Sequence, residues 1–181
     1  MEYIHTNGNQ YIDSQIILNS NSRIEVDARL TTSTFTTSYF LFGCSYDTNN
    51  RITMNPTNGN SKTRFNGALF TGNLYREGRH IWASDKNGIY IDGEKAGEWD
   101  ITPSEVQHTE SFYILADRGT TGVQLIALTG ARIYGLKVYK NNTLIADMIP
   151  ALSISKSKPG LYDKVNKRFL TNIGTGEFTY Q

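Results

Sequence analysis

Residues 79–97 read RHIWASDKNGIYIDGEKAG, a stretch that fits consecutive β-hairpins and little else. Asn87-Gly88 and Asp92-Gly93 accept the positive φ angles of tight hairpin turns, and β-branched or aromatic residues flank them. A two-residue turn at Asn87-Gly88 pairs Lys86 with Ile89 and Ser84 with Ile91. Trp82 then shares the face of Ile89 and Ile91, while Tyr90 lies on the other. A three-residue loop would exchange these faces.

The same pattern runs along the chain. In residues 23–30, Ile24, Val26, Ala28 and Leu30 suit a core, and Arg23, Glu25, Asp27 and Arg29 suit water. Residues 39–43 form an apolar run fit for a strand covered on both sides. Further strands are expected at 112–116, 125–128, 131–139 and 143–148, the last two joined by a turn at Asn141-Asn142. Tyr3-Ile4 and Tyr11-Ile12 flank Thr6-Asn7-Gly8-Asn9, which reads as a hairpin or a strand with a sharp corner. Residues 45–60 and 117–122 read as loops, with one strand at Arg51–Met54 inside the first. No helical period persists, so the expected fold is all-β: a single domain over residues 1–181, built as an antiparallel two-sheet β-sandwich of the jelly-roll kind.

Composition narrows the function classes. Eighteen basic and seventeen acidic residues are interspersed, for a net charge of +1, which gives no basic stripe to track a phosphate backbone and argues against nucleic acid. Cys44 is the only cysteine, so it forms no internal disulfide, and its neighbours Phe42 and Gly43 suggest a small buried residue. No segment approaches the roughly 20 apolar residues that span a bilayer, and MEYIHTNGNQYID lacks the basic and apolar regions of a signal peptide. Membrane insertion is not expected. A cytoplasmic chain, a chain stripped of its signal and a protein released by lysis onto a virus particle all stay open.

Several pieces, in their order, resemble a known group: EYIHTNGNQYIDSQI at the start, LFG at 41–43, NGIYIDGE at 87–94, ARIYGLKVYKNNTLIADMIPA at 131–151 and GLYDKVNKRFLTNIGTGEF at 160–178. Together they are similar to concanavalin A-like, laminin-G-like jelly-roll domains, most of all to the versions in tailed phages and gut bacterial surface proteins. The resemblance implies two curved sheets face to face, with sugar or protein ligands at a concave face or in the loops above it. It covers lectins, glycoside hydrolases, adhesion modules and virion proteins, so it does not fix function. In the closing motif, Gly160 and Gly174 suit turns, Asp163 and Asn166 suit side-chain caps, and Phe169 and Phe178 suit core anchors.

For catalysis the sharpest candidate is Glu25-Val26-Asp27. Laminarinase-like hydrolases of this fold place their carboxylates on a Glu-x-Asp-x-x-Glu strand, and retaining hydrolysis needs two carboxyls roughly 5 to 5.5 Å apart. The final Glu is missing, and a solvated strand face is the competing reading. His5, His80 and His108 are dispersed, and Cys44 has no histidine near it in sequence. Asp47-Thr48-Asn49-Asn50 offers oxygen ligands for Ca²⁺, but the reading preferred is a plain polar turn, and no metal is expected. No cofactor is expected.

For sugar binding the useful groups are exposed aromatics beside Asn, Asp and Arg. Tyr46, Tyr75, Trp82, Tyr90 and Trp99 are the aromatics considered, and Tyr46, Tyr90, Trp99, Asn49 and Asn50 form the expected ligand set. The expected function is a non-enzymatic, lectin-like binding or adhesion module on a virion or extracellular surface. Its partners would be glycans or host-surface polysaccharide, other virion or surface proteins, and further copies of itself. A glycoside hydrolase using Glu25 and Asp27 is the alternative.

Overall fold

The alternating segment forms β3 (Ser22–Leu30), with Ile24, Val26, Ala28 and Leu30 wholly buried. Ile24, Val26 and Leu30 each contribute about 1.5–3 kcal/mol on burial, enough to fix which face turns inward. β3 lies inside a ten-stranded sheet, antiparallel to β8 (Gly78–Asp85) and β14 (Arg132–Lys140). Beyond β8 come β9 (Gly88–Ile91) and β10 (Glu94–Gly97); beyond β14 come β15 (Thr143–Leu152), β16 (Pro159–Asp163) and β17 (Arg168–Thr171). β1 (Ile4–His5) pairs with Arg132 and Ile133 at the end of β14, and with β18 (Thr179–Tyr180). The computed structural model describes residues 1–31, 40–47, 49–57, 61–119, 122–126, 130–154 and 157–181, the side chains of 122–126 excepted.

The second sheet has eight strands. β2 (Ile12–Asn19) pairs with β11 (Gln107–Ile114), which pairs with β4 (Phe42–Ser45). β5 (Arg51–Met54), β6 (Ser61–Phe65) and β7 (Ala68–Gly72) follow in antiparallel order. The hairpin of β12 (Ala116–Gly119) and β13 (Gly122–Ile126) meets β4 through a parallel pairing of Arg118 with Cys44. Ile24, Trp82, Ile133 and Met148 of the first sheet share one core with Ile12, Phe42, Phe65 and Phe112 of the second. The fold is therefore a β-sandwich. No helix occurs among the described residues, hence none long and apolar enough to cross a membrane.

The hairpin turns behave as their residues require, with one shift. Asp92 and Gly93 (φ 53° and 84°) and Asn141 and Asn142 (φ 50° and 61°) take left-handed conformations at their two-residue turns. The β8–β9 turn instead falls at Lys86-Asn87, because Asp85 Oδ1 accepts from Asn87 N at 2.7 Å and closes the turn one residue early. Ser84 then pairs with Ile89 and Trp82 with Ile91. The face assignment survives: Trp82 is 0% exposed and Tyr90 lies outside, half-buried.

Other expectations are corrected. Of the two readings for Thr6–Asn9 the sharp corner holds and the hairpin does not, since here the chain leaves one sheet for the other. Of the expected loop 117–122, residues 120 and 121 lie outside the described residues, and 117–119 are strand: Leu115, at φ 67°, follows β11, and β12 folds Asp117 over Gly43, where a Cβ would lie 2.9 Å from Asp117 Cα. Gly160 sits in β16 and not in a turn; its missing side chain lets the Leu170 carbonyl and the Phe169 ring approach. Phe169 is thereby half-buried on the outer face, and Leu170 takes the core position. Asp163 does cap its turn, accepting from Val165 N at 3.1 Å and Asn166 Nδ2 at 2.6 Å. Burial would raise its pKa, but these hydrogen bonds outweigh burial and hold the carboxyl below the usual range.

Candidate functional site

Of the expected ligand residues, Tyr46, Asn49 and Asn50 lie together in one turn, where Tyr46 N donates to the Asn50 carbonyl at 2.8 Å, while Tyr90 and Trp99 lie elsewhere. Tyr46, 46% exposed, follows β4 of the eight-stranded sheet. Asn49 and Asn50 donate their backbone N–H groups to Asp47 Oδ1 at 2.7 Å, and Asn50 Nδ2 donates to Asp47 Oδ2 at 2.8 Å. The Asn50 N–H leads the hydrogen bonds that hold the Asp47 carboxyl below its ordinary pKa. Those oxygens are thus engaged by their own turn, whose Thr48 lies outside the described residues. No cluster of three His, Cys, Asp or Glu suited to a metal occurs among the described residues.

Trp99 covers the edge of the core: Nε1 donates to the Asp85 carbonyl at 2.9 Å, and the ring lies 5.9 Å from that of Phe65. Tyr75 is half-buried in the segment before β8. Tyr90 is on the outer face of the ten-stranded sheet, with the Arg23 guanidinium 4.6 Å from its ring centre. Glu25 and Asp27 share that face, each held by an arginine. Arg23 Nε donates to Glu25 at 2.9 Å, and Arg79 grips Asp27 with two hydrogen bonds of 2.9 and 2.8 Å.

Strand register builds a site on this face that the linear sequence conceals. Asp27 is opposite Ile81 on one side and Gly135 on the other; farther along, Ile149 is opposite Tyr162 and Tyr162 opposite Phe169. Leu136 pairs with Met148, which puts Gly135 beside Ile149 and joins the two halves into one row across six strands. With strands about 4.8 Å apart, the row is roughly 24 Å long. Gly135 lies at a register shift in the β14–β3 pairing and leaves a hollow of about 260 Å³, walled by Tyr134, Lys137 and the Lys164–Asp147 ion pair. Beyond Ile149 the row continues into a separate apolar groove of about 570 Å³ over Tyr162 and Phe169, bordered by Leu152 and Ile154. Ile81 and Ile149, 43% and 38% exposed, line the hollow and are the row's accessible aliphatic side chains.

A second cluster lies inside the sandwich. Cys44 Sγ is 3.5 Å from His108 Nδ1, and His108 Nε2 is 2.9 Å from Asn66 Oδ1. Asn66 Oδ1 is an acceptor, so Nε2 carries the imidazole proton and Nδ1 faces the thiol. These residues are 0–2% exposed. Burial pushes the thiol pKa up and the imidazole down to about 4, which leaves both neutral. A neutral thiol without access to solvent is a poor nucleophile. The cluster escaped the sequence reading because Cys44 and His108 are 64 positions apart.

No protein-family model, curated protein or solved structure matches this chain.

Proposed function

We propose that the chain is a non-catalytic, lectin-like binding domain of a virion or cell surface, and that it takes glycan chains along the outer face of the ten-stranded sheet. The observation that carries this reading is the row from Ile81 to Phe169. It joins a hollow with polar walls to a groove floored by two aromatic side chains. Aromatic rings stack on the C–H faces of sugars, and the charged groups around the hollow are placed to bond hydroxyls. The resemblance to concanavalin A-like domains agrees with a glycan ligand. Glu25 and Asp27 act as supports for Arg23 and Arg79 in this reading, not as an acid and a nucleophile.

A glycan array with the wild type and single variants tests the proposal. Tyr162→Ala weakens binding about tenfold, the loss of one stacked ring, whereas Tyr46→Ala leaves it unchanged. Retention of no glycan, or equal binding by Tyr162→Ala, rejects the reading.

The end of the groove supports a further role. Leu152 is 41% exposed and Ile154 fully so, an apolar border suited to a subunit contact. Sedimentation at rising concentration is expected to show reversible self-association that Ile154→Lys abolishes. A wild type that stays monomeric throughout removes this role.

A further inference from the structure

Three arginines stand side by side on the same outer face. Register places Arg79 of β8 opposite Arg29 of β3, and Arg29 opposite Arg132 of β14. His5 of β1 is next in the row, opposite Arg132. With strands about 4.8 Å apart, the arginine backbones fall within roughly 10 Å. Like charges directly opposite one another destabilise a sheet, and this row sets two such pairs in succession on a chain whose net charge is only +1.

Their neutralisation is incomplete. Arg79 is paired with Asp27 and stacked 3.8 Å from the Tyr134 ring centre. Arg132 lies over Tyr3 at 4.6 Å and has no ion pair among the described residues. The Arg29 side chain is exposed and makes no ion pair or hydrogen bond to the described residues. The tyrosines thus orient two guanidinium groups, while the middle one is left open to solvent. Asp27 and Glu2 act on Arg79, no described carboxylate pairs with Arg29 or Arg132, and an anion between the strands would offset their repulsion.

Building on the glycan-binding reading, we propose that this row is the subsite for the acid groups of a carboxylate-bearing polysaccharide. The planar guanidinium fork matches a carboxylate with two parallel hydrogen bonds. Arg29 follows Asp27 by two residues on β3, so the arginine row runs parallel to the Ile81–Phe169 row at a spacing of about 7 Å. A sugar chain lying along the hollow therefore presents its acid substituents to the arginines. Asp27, Glu25 and Asp147 border the hollow and repel any polyanion there, so acid groups are expected only where the arginines stand, two residues further along β3.

The test titrates the full chain calorimetrically with polygalacturonate, its neutral methyl ester, dextran sulfate and single-stranded DNA, at low and high salt. Polygalacturonate is expected to bind at least about tenfold more tightly than the ester and to weaken in high salt. Arg29→Thr loses about tenfold in affinity for polygalacturonate, with a thermal midpoint equal to or above that of the wild type. Failure to bind polygalacturonate, equal affinity for the ester, or wild-type binding by Arg29→Thr overturns the proposal. Equal affinity for DNA or dextran sulfate also overturns it, by showing unspecific attraction to polyanions. The glycan reading fails separately: it stands if neutral glycans bind in a Tyr162-dependent manner while polygalacturonate does not, and falls if no glycan binds.

Discussion

Acidification from pH 7 to pH 4 is expected to remove roughly 3 kcal/mol of folding stability through one side chain, His108. Burial lowers its folded pKa from 6.5 to about 4, whereas the unfolded chain titrates near 6.5. The unfolded state therefore binds more protons between these values. The contribution is complete above about pH 6.5 and is lost progressively as pH falls to about 4; a difference of some 2.5 units at 1.36 kcal/mol each sets the magnitude.

Other groups act elsewhere or in other directions. Asp47, Asp92 and Asp163 have folded pKa values below 3.8, so their contributions are present above that pH and fade beneath it. His5, lowered by burial and then by Arg132, adds to the His108 slope. Asp117, raised by burial, opposes it, since ionisation of a buried carboxyl costs stability as pH rises. The decisive quantity is thus the difference in urea midpoint between the wild type and His108→Gln from pH 7.5 to pH 4, in which these terms cancel. The wild-type curve should fall more steeply through that window; parallel curves would refute the assignment.

The sequence disclosed the local elements well and the site poorly, for one physical reason. Alternation in residues 23–30 and the turn chemistry of Asp92-Gly93 and Asn141-Asn142 act over a few residues, and the structure reproduces them. The β8–β9 turn moved by one residue because Asp85 competes for the backbone through its own side chain. Cross-strand neighbours are set by register between segments distant in sequence. Asp27 was visible as a strand carboxylate, but its place beside Ile81, Gly135 and Arg79 was not. The same holds for the arginine row and for His108 against Cys44. Tyr90 was found because one hairpin defined its face; Tyr162 and Phe169 were missed because Gly160 looked like a turn residue. In β16 that glycine instead makes room for the Phe169 ring.

Trp82→Ala is expected to cost about 3–5 kcal/mol, the range for truncating a large buried aromatic. Trp82 heads the fully buried side chains, and its strand position opposite Ile91 seats it in the core shared by both sheets. Its removal forfeits apolar burial and leaves a cavity that two hydrogen-bonded sheets are poorly able to close. Trp82→Phe keeps most of the apolar area and should cost less. Tyr90→Ala, on the opposite face of the same hairpin, should cost about 1 kcal/mol or less, since its ring is only half-covered and its main partner is the Arg23 guanidinium. Guanidinium unfolding followed by far-UV circular dichroism measures all three; the fluorescence of Trp99, the other tryptophan, offers a second probe in the Trp82 variants. A Trp82→Ala protein within about 1 kcal/mol of wild type would mean that the ring is not a core anchor. The same hairpin thus divides its labour between faces: the inner one holds the sandwich together through Trp82, Ile89 and Ile91, and the outer one, through Tyr90 and Arg23, extends the surface on which the ligand is proposed to lie.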